Sequence, residues 1–187
     1  MAAVTDGSKK RKEMSDSADG PAIRRTLSIR EEYEKGEGMF NGKLRLFSGT
    51  CHPELAKQIA THLEVPLCAA TMGMFANGET RVEIHESCRA CDSYVIQPIC
   101  TSHDGKKSVN DILMETLVTV SALRGASANR VTAVLPIYGY ARQDKKDKSR
   151  AAITARLFAD MLEVAGVDRV ITVDLHASQI QGLSSCC

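Results

Sequence analysis

Two segments of the chain combine side-chain types that can bind a polyphosphate together with a metal ion. The first, residues 138–150, reads YGYARQDKKDKSR and is rich in arginine and lysine. A guanidinium can bind phosphate oxygens through two parallel hydrogen bonds, and ammonium groups act as mobile point charges. This segment therefore predicts an anion-binding loop, although a solvated charged loop would have the same composition.

The second segment, residues 174–182, reads DLHASQIQG and follows a short apolar run. Residues two apart on a strand project to one face, so Asp174 and His176 can converge on one ligand. A carboxylate and an imidazole beside a phosphate loop suit a magnesium ion that carries a nucleotide, directly or through water. Taken alone, a capping aspartate and a partly buried histidine would explain the same two residues.

Neither segment is one of the common nucleotide-binding motifs. The sequence contains no G-x-x-x-x-G-K-[ST] and no G-x-G-x-x-G. These patterns are typical of P-loop proteins and of dinucleotide-binding domains. The sequence therefore does not support either class.

The periodicity of apolar residues predicts the elements that position these segments. Strands are predicted at residues 44–47, 80–85, 94–96, 131–135 and 170–173. Three helices are predicted: the first begins near Pro53, the second spans residues 110–123, and the third runs from about Arg150 to Gly166. Their predicted buried faces are Leu55, Ile59 and Leu63; Leu113, Leu117, Val120 and Leu123, widened by Met114 and Val118; and Ile153, Leu157, Met161 and Val164.

Strands that alternate with helices predict an α/β fold, with a mainly parallel sheet flanked by helices on both faces. Ligands of such folds bind beyond the carboxyl ends of the strands. Both polar segments begin at such ends. We therefore expect residues 142–150 and 174–176 to share one edge of the sheet.

Composition and charge limit the classes of partner. The sequence has 43% hydrophobic and 25% charged residues and a net charge of +1. This charge does not favour nucleic acid or an anionic membrane as the main partner. No apolar run approaches the roughly 20 residues that span a bilayer, and no signal peptide is recognisable. We expect a cytoplasmic protein.

The seven cysteines are odd in number and irregularly spaced. Without a secretory context, this pattern favours free thiols over a disulfide framework. Cys88 and Cys91 have C-x-x-C spacing, but the sequence around them does not complete four zinc ligands. We interpret that spacing as a coincidence.

The chain divides into a polar N-terminal part and one globular part. Residues 1–40 are rich in Ser, Asp, Glu, Lys and Gly and contain few large apolar residues, which predicts a disordered tail. Acidic side chains balance the basic ones there, which argues against a basic tail that binds nucleic acid. Residues 41–187 are predicted to form a single domain.

Four motifs give the chain a family resemblance. They are FANGET at residues 75–80, NDILME at 110–115, ARQDKKDKSR at 141–150 and DLHASQIQG at 174–182. In these motifs and in their order, the chain resembles the ribose-phosphate diphosphokinases, also called phosphoribosyl pyrophosphate synthetases. The resemblance covers about residues 44–182 and implies the phosphoribosyltransferase-like N-terminal domain of that family.

The resemblance also implies roles for particular residues. The family's ATP loop matches Arg142, Gln143 and Asp147. The position that supports the magnesium ion matches His176, and Asp174 matches the start of the metal signature. The residues that reach the adenine in a neighbouring subunit match Phe75, Asn77 and Glu79. The positions near a regulatory phosphate site match Ser87, Arg89 and Arg150.

Because the family's ATP site is built across an interface, the resemblance implies a homo-oligomer or association with full-length subunits. The family transfers the diphosphate of ATP to the C1 hydroxyl of ribose 5-phosphate, giving phosphoribosyl pyrophosphate and AMP for nucleotide biosynthesis. The stretch TSHDGKKS at residues 101–108 is longer than the family pattern at this point, and His103 within it is expected to be solvated.

The family pattern continues into a second, similarly folded domain, whereas this sequence ends in LSSCC at residues 183–187. We therefore expect the ribose 5-phosphate loop, the diphosphate loop and the basic catalytic loop to be absent, and we assign no catalytic residue. The chain alone is expected to be inactive. The alternative is a non-catalytic regulatory subunit that assembles with full-length synthetase, although such subunits usually have an altered ATP loop.

Overall fold

The structure is a computed structural model that describes residues 43–146 and 148–183. The predicted tail over residues 1–40, Asp147 and the two terminal cysteines lie outside the described residues. What the sequence predicts for them therefore stays a prediction.

Within residues 43–146 and 148–183, the main sheet has four parallel strands in the order β1-β4-β5-β6. They are β1 (Leu44–Ser48), β4 (Asp92–Ile96), β5 (Arg130–Val134) and β6 (Arg169–Ile171). Between β1 and β4, the chain forms an antiparallel hairpin of β2 (Ala70–Met74) and β3 (Thr80–Ile84). The predicted mainly parallel sheet is confirmed, whereas β2 was missed by the sequence analysis.

Three α-helices accompany the strands in the described part of the chain, and their ends follow from local sequence. They are α1 (Pro53–Leu63), α2 (Val109–Gly125) and α3 (Thr154–Ala165). Helix α2 begins with a capping box, in which Ser108 and Asp111 each bind the other's backbone N–H. The Ser108 hydrogen bonds lower the pKa of the Asp111 carboxyl. Helix α3 is capped at its C-terminus by Gly166, whose φ of 105° lies in the left-handed region.

Among the described residues, two apolar clusters lie on opposite faces of the sheet, because successive strand residues point to opposite sides. Leu44 and Leu46 of β1 pack with Ala60 of α1 in the smaller cluster. The neighbouring Phe47 belongs to the larger cluster, which includes residues of α2 and α3. Helices therefore cover both faces of the sheet, as predicted.

The predicted buried face of α3 is wrong by a fraction of a turn. Leu157 is 58% exposed and Val164 is 90% exposed, whereas the buried residues are Ala155, Phe158, Ala159 and Leu162. Two alanines four residues apart, Ala155 and Ala159, thus form part of the buried stripe. The larger Leu157 and Val164 instead line a groove beside α2.

The other two predicted faces need smaller corrections. In α1, the fully buried residues are Ala56 and Ala60, and the predicted Leu55, Ile59 and Leu63 are half-buried. In α2, Leu113, Val120 and Leu123 are buried as predicted. Met114 is 47% exposed, and the buried face also includes Ile112, Glu115, Thr116 and Thr119.

Candidate active site

The two polar segments meet in one cleft at the carboxyl edge of the main sheet. This cleft has a volume of about 720 Å³. Its lining includes Arg142 and Gln143 from the loop after β5, and Asp174 and His176 from the segment after β6. For these four residues, the expectation that the two segments share one strand-end edge is confirmed.

Backbone hydrogen bonds hold the two segments side by side beyond the ends of the strands. Leu135 N donates to Ile171 O at 2.7 Å, and an isolated parallel bridge pairs Ile137 with Asp174. On the other side, Ile99 N donates to Ile137 O at 3.0 Å. The segments after β4, β5 and β6 therefore form a continuous floor for the cleft.

Close packing at Gly139 fixes the start of the loop after β5, which we call the β5 loop. A Cβ at this position would lie 2.3 Å from Cγ2 of Ile99, which is almost fully buried. The next residue, Tyr140, has a positive φ of 58°. The loop therefore needs glycine at position 139 to pass over Ile99 and turn into the cleft.

The cleft presents charged groups to solvent. Arg142, Asp174 and His176 are exposed, and their side chains form no hydrogen bond or ion pair with another described residue. Gln143 is tied to α3: Thr154 Oγ1 donates to its Oε1 at 3.3 Å, and Ala155 N donates to its backbone O at 3.2 Å. A cation, a carboxylate and an imidazole thus remain available to a ligand.

Asp174 and His176 fit a metal that is shared with a phosphate ligand. Across the residues described here, no group of three or more His, Cys, Asp or Glu side chains could hold a metal ion alone. Magnesium commonly takes one or two carboxylates and completes its shell with phosphate oxygens and waters. The Asp174 carboxylate in an open cleft matches that requirement, and the His176 imidazole can hold the ion through a bound water.

Behind the cleft lies a buried polar network that the sequence analysis missed. Its centre is Glu115 of α2, which is 1% exposed. One carboxylate oxygen accepts hydrogen bonds from Gln97 Nε2 at 2.8 Å and from Thr50 N at 2.9 Å. The other accepts from Lys107 Nζ at 2.5 Å and from Thr50 Oγ1 at 2.7 Å. We call Glu115, Gln97, Thr50 and Lys107 the buried polar network.

This network ties the turn after β1 to the start of the segment after β4. Gln97 is fully buried, and its Oε1 accepts a hydrogen bond from Cys51 N at 3.1 Å. A Cβ on Gly49 would lie 2.0 Å from the same Oε1. Helical spacing places Glu115 on the side of the helix opposite the predicted apolar face, so the periodicity of the sequence did not mark it as buried.

The longer stretch at residues 101–107 folds back onto that turn. His103 N donates to Cys51 O at 2.9 Å, and Lys107 reaches into the buried polar network. Hydrogen bonds from Ser102 and from the backbone of Lys106 lower the pKa of Asp104 to about 2. His103 is exposed, as expected.

Phe75, Asn77 and Glu79 lie outside the cleft, at the exposed tip of the β2–β3 hairpin. Phe75 is 52% exposed. The tip is closed by Phe75 N donating to Glu79 O at 2.8 Å and by Glu79 N donating to Asn77 Oδ1 at 3.2 Å. Phe75, Asn77 and Glu79 line a small pocket that is separate from the cleft. Their predicted contact with a neighbouring subunit stays a prediction.

The residues predicted for a regulatory phosphate are not brought together within the chain. Ser87 and Arg89 are exposed in the connection that leads into the amino end of β4. Arg150 is exposed at the far end of the β5 loop and has a φ of 66°. Ser87 and Arg89 precede a strand of the parallel sheet, at its amino edge. Arg150 follows a strand, at the carboxyl edge. These positions therefore belong to opposite edges of the sheet.

The C-x-x-C residues are buried free thiols. Cys88 Sγ donates to Glu86 O, and Cys91 Sγ donates to Arg89 O, each at 3.4 Å. All five cysteines in the described part of the chain are free. The pair is therefore part of the packing beneath the β3–β4 connection.

Together, these features define an α/β protein whose open parallel sheet carries a charged, ligand-accessible cleft at its carboxyl edge. The sequence pattern of the N-terminal domain of ribose phosphate pyrophosphokinase matches residues 44–166, and the chain belongs to this family. The match includes most of the elements that form the cleft. In the described part of the chain, no helix is long and apolar enough to cross a membrane.

Individual relatives agree with the family assignment. The chain is 55% identical over 140 residues to ribose-phosphate pyrophosphokinase A of Dictyostelium discoideum, covering 75% of this chain and 43% of that protein. It is 51% identical over 139 residues to ribose-phosphate pyrophosphokinase of Clostridium perfringens, covering 74% and 42%. The chain thus spans less than half the length of these relatives.

A solved structure confirms the fold. The crystal structure of phosphoribosylpyrophosphate synthetase from Mycobacterium smegmatis superimposes with a TM-score of 0.70 at 49% sequence identity. The superposition covers 76% of this chain and 46% of that one. The α/β fold predicted from the sequence is the fold of a synthetase of this family.

Proposed function

We propose that this chain provides the nucleotide-binding part of a ribose-phosphate diphosphokinase active site. In the proposed reaction, the C1 hydroxyl oxygen of ribose 5-phosphate attacks the β-phosphorus of ATP. The bond from that phosphorus to the α–β bridging oxygen breaks, AMP leaves, and the hydroxyl proton is released. The cleft that brings Arg142, Gln143, Asp174 and His176 together is the observation that supports this role.

Arg142 and Gln143 would bind the triphosphate. The Arg142 guanidinium is exposed at the cleft, where it can donate paired hydrogen bonds to phosphate oxygens. The side-chain oxygen of Gln143, Oε1, already accepts a hydrogen bond from Thr154 Oγ1. The side-chain NH₂ of Gln143 is therefore left to donate to the ligand. Asp147 belongs to the same proposed loop.

Asp174 and His176 would hold magnesium jointly with the phosphate oxygens. When bound, the ion neutralises phosphate charge and fixes the geometry of the triphosphate. Asp174 is anchored at the backbone by its pairing with Ile137. This anchor keeps its carboxylate beside the loop that carries Arg142.

The adenine would be held from outside this cleft. Phe75, Asn77 and Glu79 lie on a separate, exposed hairpin tip, so we propose that they reach the nucleotide of a neighbouring copy. The proposed site is therefore shared between subunits. An ATP titration of monomeric and assembled protein would test this arrangement, because equal affinity in a strict monomer would contradict it.

Calorimetric titration of the chain with ATP and magnesium tests the nucleotide site. Arg142→Ala should weaken ATP binding about 10- to 100-fold, because it removes charge-assisted hydrogen bonds. The matched control is Arg156→Ala, which removes an exposed arginine of α3 that pairs with Asp160. Equal affinity of Arg142→Ala and the unmodified chain would refute the proposed site.

We also expect the isolated 187-residue polypeptide to release no AMP in response to ribose 5-phosphate. Positioning two reactants can lower a barrier by about 7–11 kcal/mol, and we assign no acceptor site among the described residues. A fusion to the remaining part of a relative serves as the active comparison. Ribose-dependent turnover by the short chain, purified from a host without its own enzyme, would show that the acceptor site is misassigned.

A further inference from the structure

Two cysteine thiols lie in contact at the wall of the cleft. Cys51 Sγ and Cys100 Sγ are 3.4 Å apart. Cys51 follows β1 and is 1% exposed, whereas Cys100 follows β4, is partly exposed and lines the cleft. Among the cysteines that the structure describes, no other two have their sulfur atoms within hydrogen-bonding distance.

The surroundings hold Cys51 in place on three sides. Its N–H donates to Gln97 Oε1 at 3.1 Å, and its carbonyl accepts from His103 N at 2.9 Å. Its thiol points towards the Cys100 carbonyl, at 3.6 Å. The contact between the two sulfurs therefore follows from the fold of the β1 turn and the stretch at residues 101–107, and not from two mobile side chains.

We propose that Cys51 and Cys100 are an oxidation site that closes a reversible intrachain disulfide across the cleft wall. The sulfurs need to approach from 3.4 Å to about 2.0 Å, a change that side-chain rotation and a small backbone shift can provide. The oxidant would be a small-molecule disulfide such as oxidised glutathione. The site is a modification site within the nucleotide cleft, distinct from the residues assigned to the ligand.

The chemistry takes two exchange steps. The Cys100 thiolate attacks one sulfur of the oxidant and expels one thiolate, which leaves a mixed disulfide on Cys100. The Cys51 sulfur then attacks Cys100 Sγ, and the second small thiol leaves with the proton from Cys51. The two protein thiols are oxidised by two electrons, and one disulfide is reduced to two thiols.

Accessibility sets this order. Burial and the neighbouring Cys100 raise the pKa of the Cys51 thiol to about 12, so Cys51 is a poor first nucleophile. Cys100 lines the open cleft, where a small oxidant can reach it. Once Cys100 carries the mixed disulfide, Cys51 is already in contact with the sulfur that it must attack.

The disulfide should alter ligand binding in the cleft, an expectation that rests on the proposed function. Cys51 is held by the Gln97 side chain, so closing the bond must displace Cys100 and the segment on either side of it. Neighbouring Ile99 supports the β5 loop through its hydrogen bond to Ile137 and its contact with Gly139. Oxidation should therefore disturb the loop that carries Arg142.

The test is titration of the whole chain with reduced and oxidised glutathione, followed by non-reducing peptide mapping. Cys186→Ser and Cys187→Ser in the background remove thiols outside the described residues. We expect a peptide that links Cys51 to Cys100, has lost two hydrogens, and returns to free thiols with dithiothreitol. No such linkage at any glutathione ratio, or linkage of Cys100 to another cysteine, would overturn the proposal.

Three variants separate the roles of the two thiols. Cys51→Ser, with Cys51→Ala as a second choice if folding fails, should leave Cys100 as a stable glutathione adduct. Cys100→Ser should leave the buried Cys51 unmodified. Cys88→Ser removes a different buried thiol and should leave the Cys51–Cys100 linkage unchanged.

ATP binding provides an independent readout. The oxidised chain should bind ATP about tenfold more weakly than the reduced chain, the equivalent of one lost hydrogen bond, and Cys100→Ser should remove this redox response. Linkage without any change in affinity would overturn the coupling to the cleft. If the reduced chain binds no ATP, the proposed function fails, and peptide mapping still decides the oxidation site.

Discussion

Two groups of polar side chains lie at the carboxyl edge of the main sheet, and they differ in what satisfies them. In the buried polar network, Glu115 accepts hydrogen bonds from Gln97, Thr50 and Lys107. In the cleft, the Arg142 and Asp174 side chains face solvent and form no bond with another described residue. One group is satisfied by the protein, and the other is available to a ligand.

This difference means that the buried polar network contributes to stability, whereas the exposed cleft residues are available for binding, although both lie at the same edge of the sheet. A buried carboxylate must be paired. Removing its partner lowers the free energy of unfolding by about 3–5 kcal/mol, because it leaves a buried charge uncompensated. An exposed charge is satisfied by water and contributes little to folding. Substitutions in the two groups should therefore have opposite profiles: loss of stability in the network, and loss of ligand affinity in the cleft.

The largest effect on stability is expected for Glu115→Ala. It leaves the Gln97 amide, the Thr50 groups and the Lys107 ammonium without their acceptor and opens a cavity, so the free energy of unfolding should fall by about 3 kcal/mol or more. Chemical denaturation measures this change. Glu83→Ala, in an exposed pair with Arg81, is the control and should cost under about 1 kcal/mol. Equal costs would contradict the proposed difference.

Gly49→Ala should be the next most damaging substitution. Its Cβ would lie 2.0 Å from Oε1 of the fully buried Gln97, so Gln97 must move and give up its bonds to Cys51 and Glu115. We expect a loss of about 1–3 kcal/mol in thermal or chemical unfolding. Gly73→Ala is the matched control, because no atom lies within 4 Å of a Cβ built there. If Gly49→Ala left the free energy of unfolding unchanged, Gln97 would have room to rearrange.

The smallest effect on stability is expected for Asp174→Asn in the cleft. The side chain is exposed and its anchor is backbone pairing, so the free energy of unfolding should change by no more than about 0.5 kcal/mol. The same variant should require more magnesium to bind ATP, measured by titration at fixed nucleotide. A loss of stability comparable with that of Glu115→Ala would place Asp174 in the structural group.

Much of the cleft followed from sequence because strand-end geometry is a general property of parallel sheets. The apolar runs before residues 138 and 174 predicted two strands, and the polar segments after them then had to share an edge. The structure places Arg142 and Asp174 in one cleft accordingly. Local periodicity and topology were sufficient for this part of the site.

The missed features depend on contacts between residues that are distant in sequence. Strand β2 contains Gly73 and little alternation, and it forms by pairing with β3. The inward face of α3 was misassigned because Leu157 and Val164 fit helical spacing as well as Phe158 and Leu162 do. Lys107 could not be matched to Glu115 from sequence, because the path of the stretch at residues 101–107 is set by its packing on the β1 turn.

The pairing of Ile137 with Asp174 also limits how sequences with this fold can change in length. An added residue between Val134 and Ile137, or between Ile171 and Asp174, would break that register and rotate Asp174 away from the loop that carries Arg142. An added residue after Asn77 at the hairpin tip, or within the stretch at residues 101–107, would leave the register intact. Natural insertions and deletions should therefore accumulate at those two places and be rare between the strand ends and the paired residues.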